Sequence, residues 1–309
     1  MSPSARGRAA PSRKPTGNRG NKALRISILD ANCRAVDRTR PRRRRSQRLL
    51  ALRLKRRSQS AAPDPWFPGG TLRQDALLRL FCLPHAGGGA SAFGAWQDSL
   101  PASLSVCPVE LPGRESRAGE PTLRDMPSLV EALGRAISPH TGQSFALFGH
   151  SMGAGVALEL CRWLRRYRLP LPRVLVVSAA RSPRERLGRP PARDPGRAGL
   201  VEELRQRGGI PEAVLQNPRL LRLILPPLEA DAALYRGWVY EQDEPLPLPL
   251  RAYGGTADPH VTREQLEGWR AETSRSFEVR SFPGGHFYLR GQPAPFLAAL
   301  AADLAQAVA

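Results

Sequence analysis

Gly149-His150-Ser151-Met152-Gly153 has the pattern G-x-S-x-G. The apolar run Phe145 to Phe148 precedes it, and from Val156 to Leu164 apolar residues recur at helical spacing. The pentapeptide therefore stands where a strand turns into a helix, the setting in which this pattern exposes a nucleophilic serine. A glycine on each side lets the chain turn sharply without a side chain striking the neighbouring strand or helix. The helix N-terminus behind Ser151 offers free amides and a partial positive charge to an oxyanion. An ordinary glycine-rich turn is the competing reading of the same letters.

A serine nucleophile needs a base, and the base needs an orienting carboxylate. The histidines are His85, His140, His150, His260 and His286. His150 lies inside the turn, where its ring does not face Ser151, and His140 lies before the strand. His286 follows the last strand-like run, Phe277 to Phe282, in Pro283-Gly284-Gly285-His286-Phe287, whose glycines form a loop able to carry an imidazole over a sheet edge. Asp258 sits in Gly254-Gly255-Thr256-Ala257-Asp258-Pro259, just past the run Leu248 to Tyr253, and fits the orienting carboxylate. Asp243 and Glu244 precede that run and fall at its wrong end. An oxyanion hole calls for the Met152 amide plus one from a loop after an early strand. Pro84-His85-Ala86-Gly87-Gly88 is placed to supply it through Ala86. The glycines do not form a nucleotide-binding pattern, and residues 61–309 contain no lysine to reach a phosphate.

Strands are expected at 77–83, 104–111, 145–148, 174–177, 248–253 and 277–282. Helices are expected at 123–137, 156–164, 263–272 and 296–308. This alternation is the signature of an α/β fold, a mostly parallel central sheet with helices on both faces. The interval 183–247 breaks the rhythm. Leu220, Leu221, Ile224, Leu225 and Leu228 recur at helical spacing, as do Leu234, Tyr235 and Trp238, so an inserted helical lid is expected there.

The formal charge of +20 is concentrated at the front of the chain: residues 1–60 hold 19 Lys and Arg against Asp30 and Asp37. That stretch is poor in apolar residues and is expected to be a disordered basic extension, leaving 61–309 as the folded domain. A signal peptide fails because Arg53 splits Leu49 to Leu54 and no apolar core of about 7 to 15 residues forms. Nucleic-acid binding through the charge block lacks any aromatic residue between Met1 and Pro65 for base stacking, so no specific nucleic acid is expected. No apolar run approaches the roughly 18 residues of a spanning helix, so a membrane partner is not expected. Cys33, Cys82, Cys107 and Cys161 show no metal spacing, which points to a reducing, cytoplasmic setting and no metal.

Together, 80–88, 148–154, Tyr253-Gly254-Gly255 with Asp258-Pro259, and Gly284-Gly285-His286-Phe287 resemble the type II thioesterases. These are free-standing α/β-hydrolases that accompany nonribosomal peptide and polyketide synthases. The inserted segment resembles theirs as well, in Gly208-Gly209-Ile210-Pro211 and in 225–231, whereas the basic extension has no counterpart. The resemblance implies the α/β-hydrolase fold, chain order Ser151, Asp258, His286, and hydrolysis of acyl thioesters on the phosphopantetheine arm of carrier proteins. The arm belongs to the substrate, so no cofactor is expected, and the protein is expected to be a monomer partnered by acyl or peptidyl carrier proteins. Leu225, Leu228 and Trp238 would line the acyl site, with core packing an equal alternative. A carboxylesterase or lipase, and an acyl-transferring, chain-terminating enzyme, share the same triad and stay open.

Overall fold

The structure is a computed structural model describing residues 64–68, 72–188, 193–210, 212–291 and 293–308. The extension 1–60 lies outside the described residues. Six strands form one sheet: β1 (Leu78–Leu83), β2 (Leu104–Pro108), β3 (Phe145–His150), β4 (Leu175–Ser178), β5 (Leu250–Gly255) and β6 (Phe277–Phe282). Their spatial order is β2-β1-β3-β4-β5-β6 and every pair is parallel. Strands β1 to β4 are buried along their whole length, as continuous apolar runs between two helical layers must be. Arg79 and Arg251 sit inside strands and are 3% exposed. Arg79 donates to the carbonyls of Arg73 and His140, and Arg251 donates to Ser276 and Gln306 and pairs with Asp303.

The helices, in chain order, are α1 (Trp96–Ser99), α2 (Met126–Ile137), α3 (Met152–Arg166), α4 (Gly196–Arg207), α5 (Glu212–Leu215), α6 (Pro218–Gly237), α7 (Arg263–Glu267), α8 (Tyr288–Gly291) and α9 (Pro293–Val308). Helices α2 and α3 cover one face of the sheet, where Leu129, Leu133, Leu158 and Cys161 pack under Phe81 and Leu147. Helices α1 and α9 cover the other, where Trp96, Phe296 and Leu300 pack under Leu80 and Phe148. Asp125 caps α2 by accepting the Ser128 amide at 2.8 Å.

The expected elements are present with shifted ends. Strand β2 stops at Pro108, β3 runs on to His150, and α3 starts at Met152, ahead of the apolar periodicity that begins at Val156, because Gly153, Ala154 and Gly155 give its first turn no apolar pattern. The two apolar sets of the inserted segment belong to one helix, α6, which continues through Pro226 and Pro227. Trp238 falls just beyond its end. Helices α4, α5 and α6 all lie between β4 and β5, where the lid was expected.

Candidate active site

The chain runs from β1 outward to β2, then returns to β3 on the other side of β1, so β1 and β3 flank the point where strand order reverses. In such sheets ligands bind at the carboxyl ends beside that point. The register Leu83↔Gly149 brings the segment after β1 alongside the turn after β3. Ser151 occupies that turn with φ 54 and ψ −113, a conformation that costs a non-glycine residue of order 1–3 kcal/mol and is retained where the surroundings impose it. They do so here. A Cβ on Gly149 would strike the Gly153 carbonyl, and one on Gly153 would strike the carbonyls of Leu83 and Pro84. The Ser151 amide donates to the Ser178 carbonyl at 2.7 Å, fastening the turn to β4.

His286 Nε2 lies 3.0 Å from Ser151 Oγ, and its Nδ1 lies 2.8 Å from Asp258 Oδ2. The other carboxylate oxygen, Asp258 Oδ1, accepts the His260 amide at 2.9 Å. These contacts fix the useful tautomer: Nδ1–H donates to the carboxylate, leaving Nε2 as acceptor for the serine hydroxyl. Asp258 and His286 are 8% and 2% exposed. Burial pushes the Asp258 carboxyl up, but the His286 hydrogen bond, the His260 amide and the charge of both histidines outweigh it and hold the group below the usual carboxylate range. The loops carrying the two residues are built against each other. Ala257 donates its amide to Gly284, and Gly255 passes so close to Gly284 and Gly285 that any Cβ there would collide with their carbonyls.

The second amide expected at the site, that of Ala86, lies in the loop after β1, against which the first turn of α3 is pressed at Gly153. The Met152 amide is the first of that turn, at the helix end where N–H groups lack the usual partner four residues back. Ser151, Asp258 and His286 are thus brought together. Of the three residues expected to line an acyl site, Leu225 and Leu228 share one cluster and Trp238 lies in another. Leu228 faces the loop, 3.0 Å from where a Gly87 Cβ would sit, and helps line a cavity of about 360 Å³ with His85, Gly88, Ile210, Ile224 and Arg290. Leu225 is 6% exposed among Leu200, Leu228 and Ala232, inside the inserted segment. Trp238 does not line that cavity. Because it follows the end of α6, its ring drops onto Gly155 of α3 between Tyr235 and Tyr240.

Asp243 pairs with Arg165 at 2.6 Å, away from the triad. His150 is buried and its Nδ1 lies 2.9 Å from Ser178 Oγ, which in turn lies 2.7 Å from the Tyr288 hydroxyl. Burial, then the charges of His286, His85 and Arg290, depress His150 well below the usual imidazole range, so it stays neutral. His85 is likewise pushed down to about 3, by burial first and then by Arg290, whose Nη2 donates to His85 Nε2 at 3.1 Å. Sequence reasoning missed this surrounding polar framework, together with the buried pair Arg114 and Asp231. Its members come from unrelated segments and share no spacing that could mark them.

A six-stranded parallel sheet flanked by helices, with a serine at the strand-to-helix turn after β3, is the architecture of the α/β-hydrolases, and this protein is one. Residues 78–304 match the family model described as the thioesterase domain. The gramicidin S biosynthesis protein GrsT of Aneurinibacillus migulanus is 39% identical over 226 residues, 73% of this chain and 88% of that protein. Thioesterase PikA5 of Streptomyces venezuelae is 37% identical over 219 residues, 71% of this chain and 78% of its own. The solved structure of RedJ, a thioesterase from the prodiginine biosynthetic pathway in Streptomyces coelicolor, matches with a TM-score of 0.68 at 37% identity, covering 79% of this chain and 90% of that one. The chain belongs to the thioesterase family and is a hydrolase acting on thioester bonds.

Proposed function

We propose that Ser151 is the nucleophile of an acyl-serine mechanism in which His286 is the general base, Asp258 orients and stabilises the imidazole, and the Met152 and Ala86 amides receive the oxyanion. The observation that carries this reading is the unbroken chain Ser151 Oγ, His286 Nε2, Nδ1, Asp258 Oδ2, with steps of 3.0 and 2.8 Å. His286 takes the hydroxyl proton as Ser151 attacks the thioester carbonyl, and negative charge develops on oxygen at the N-terminus of α3. The intermediate collapses with loss of the thiol. An ordinary thiol has a pKa of about 8.5, so the C–S bond breaks readily, and the departing sulfur takes up the imidazolium proton and returns His286 to its neutral form. Water deprotonated by His286 then releases the free acid and restores the serine. Every proton transfer is carried by these side chains, and no step calls for a resident metal or cofactor.

The substrate class is an acyl or peptidyl group on the phosphopantetheine thiol of a carrier protein, and the task is removal of aberrant or stalled acyl units in nonribosomal peptide or polyketide synthesis. GrsT is by name a gramicidin S biosynthesis protein, and RedJ a thioesterase from the prodiginine biosynthetic pathway, which supports this reading. The protein would work as a cytoplasmic monomer. Cys82, Cys107 and Cys161 are fully buried, which suits a reducing compartment. A panel of acylated carrier proteins followed by intact-protein mass spectrometry tests this. Loss of the acyl mass to free acid, abolished by Ser151→Ala, is expected. A condensation product, or faster cleavage of a matched p-nitrophenyl ester than of the carrier thioester, would refute the assignment.

A further inference from the structure

The loop that carries Ala86 is held by side chains from outside it. The Gly87 amide donates to Asp231 Oδ2 at 2.8 Å, and the Gly88 carbonyl accepts from Arg114 Nη1 at 2.9 Å. Further along, the Ala90 amide donates to Glu110 at 3.3 Å and the Ser91 amide to Glu115 at 3.1 Å. Three of these four side chains come from the stretch that follows β2. The fourth, Asp231, comes from α6, on the same face as Leu228 three residues earlier. Arg114 and Asp231 join in a two-pronged pair, Nη1 to Oδ2 at 2.6 Å and Nη2 to Oδ1 at 2.8 Å, and are 6% and 1% exposed.

We propose that Asp231 and Arg114 are positioning residues of the oxyanion hole, acting through the Gly87–Gly88 backbone to aim the Ala86 amide. A run of three glycines has little intrinsic preference for one path, and Gly87 sits at φ +74, where its rotation is checked only by neighbours. Asp231 fixes the peptide that ends at Gly87, and Arg114 fixes the one that begins at Gly88. The peptide that presents the Ala86 amide is then left one orientation. A lone carboxylate beside an oxyanion site would oppose the developing negative charge. The guanidinium cancels it, so the bidentate pair supplies an acceptor for Gly87 without a net charge. Because Asp231 rides on α6, the hole takes this shape only with the inserted helix seated on the loop.

The inference rests on the roles given above to Ser151 and Ala86. Its test compares an acyl thioester with the matched dithioester, whose C=S sulfur is a poor acceptor for hole amides, both on a small thiol such as N-acetylcysteamine. Two variants are used: Asp231→Asn, and the double change Arg114→Met with Asp231→Leu. The double change replaces the buried pair by apolar side chains, a swap that buried pairs commonly tolerate. In folded variants, kcat on the thioester should fall about 100-fold, the scale of a misplacement near 1 Å, with KM unchanged and kcat on the dithioester held within a factor of about 3. Equal losses on both substrates, a rise in KM alone, or kcat of the wild type in both variants would overturn the positioning role while leaving Ser151-dependent turnover intact. Thioester turnover that survives Ser151→Ala, with Asp231 and Arg114 unchanged, would overturn the site assignment, and the positioning role with it.

Discussion

Replacing Asp258 by Asn changes one oxygen to an amino group and leaves the volume of the site alone. The carboxylate now makes two contacts, receiving His286 Nδ1–H on one oxygen and the His260 amide on the other. An amide has a single oxygen. With that oxygen kept on the His260 N–H, the NH2 group points at Nδ1, and the ring must turn its proton to Nε2, the atom 3.0 Å from Ser151 Oγ. The imidazole then donates to the serine it should deprotonate. Wrong-tautomer losses of this kind are about four orders of magnitude in kcat, or about 5.5 kcal/mol of transition-state stabilisation. The assay is thioester hydrolysis followed by thiol release, with KM measured separately and expected to hold. The folded-state carboxyl lies below its ordinary value, so it binds protons less well than in the unfolded chain. Its contact with His286 therefore supports the fold at every pH above the unfolded carboxyl value and is lost only as pH falls through the lower folded one. The variant should then match wild-type stability in strong acid and fall behind at neutral pH. An Asn variant with more than about a tenth of wild-type kcat would refute the tautomer argument.

Ser151→Gly should abolish turnover and raise the melting temperature by about 2–4 °C, since glycine accepts φ 54 without the roughly 1 kcal/mol cost of a Cβ; differential scanning calorimetry reads the sign. Gly153→Ala should fail to fold or lose activity outright, because the new methyl meets strand-end carbonyls rather than a yielding side chain; circular dichroism and turnover decide. Leu228→Ala, at a site 1% exposed, should cost about 2–5 kcal/mol in urea unfolding and loosen the inserted helix. Glu110 is pushed up to about 8, chiefly by burial and then by the facing Glu115. The folded state therefore holds this proton more tightly than the unfolded chain, and stability drops as pH rises from about 4.5 toward 8. Glu110→Gln keeps an acceptor for Ala90 and removes the ionisation, so its melting temperature should gain on wild type between pH 5 and 8. Parallel curves would refute that assignment.

The sheet was legible because five parallel strands announce themselves as short apolar runs ending in glycine or polar turns, and burial on both faces demands that composition. Edge strand β6 shows it least, with Glu278 and Ser281 exposed to solvent. The serine turn was legible for a related reason. Gly149 and Gly153 are required by contacts that no side chain could survive, so the steric demand of the site is written directly into residue type. His286 and Asp258 were legible because each follows a strand and sits among glycines. The continuity of α6 was not, since Pro226 and Pro227 interrupt the reading of a helix whose packing on the loop outweighs the lost hydrogen bonds.

What the sequence determined by itself was the class of fold, the order of its strands along the chain, and which hydroxyl, imidazole and carboxylate could act, because these depend on local composition and on turns a few residues long. Only the tertiary structure decided that Trp238 lies on Gly155, that Leu228 faces the glycine loop, and that Arg114 meets Asp231 across 117 residues. Such contacts depend on where helices end and how they lie across the sheet. Those outcomes follow from the whole core closing at once, and no stretch of neighbouring residues carries them.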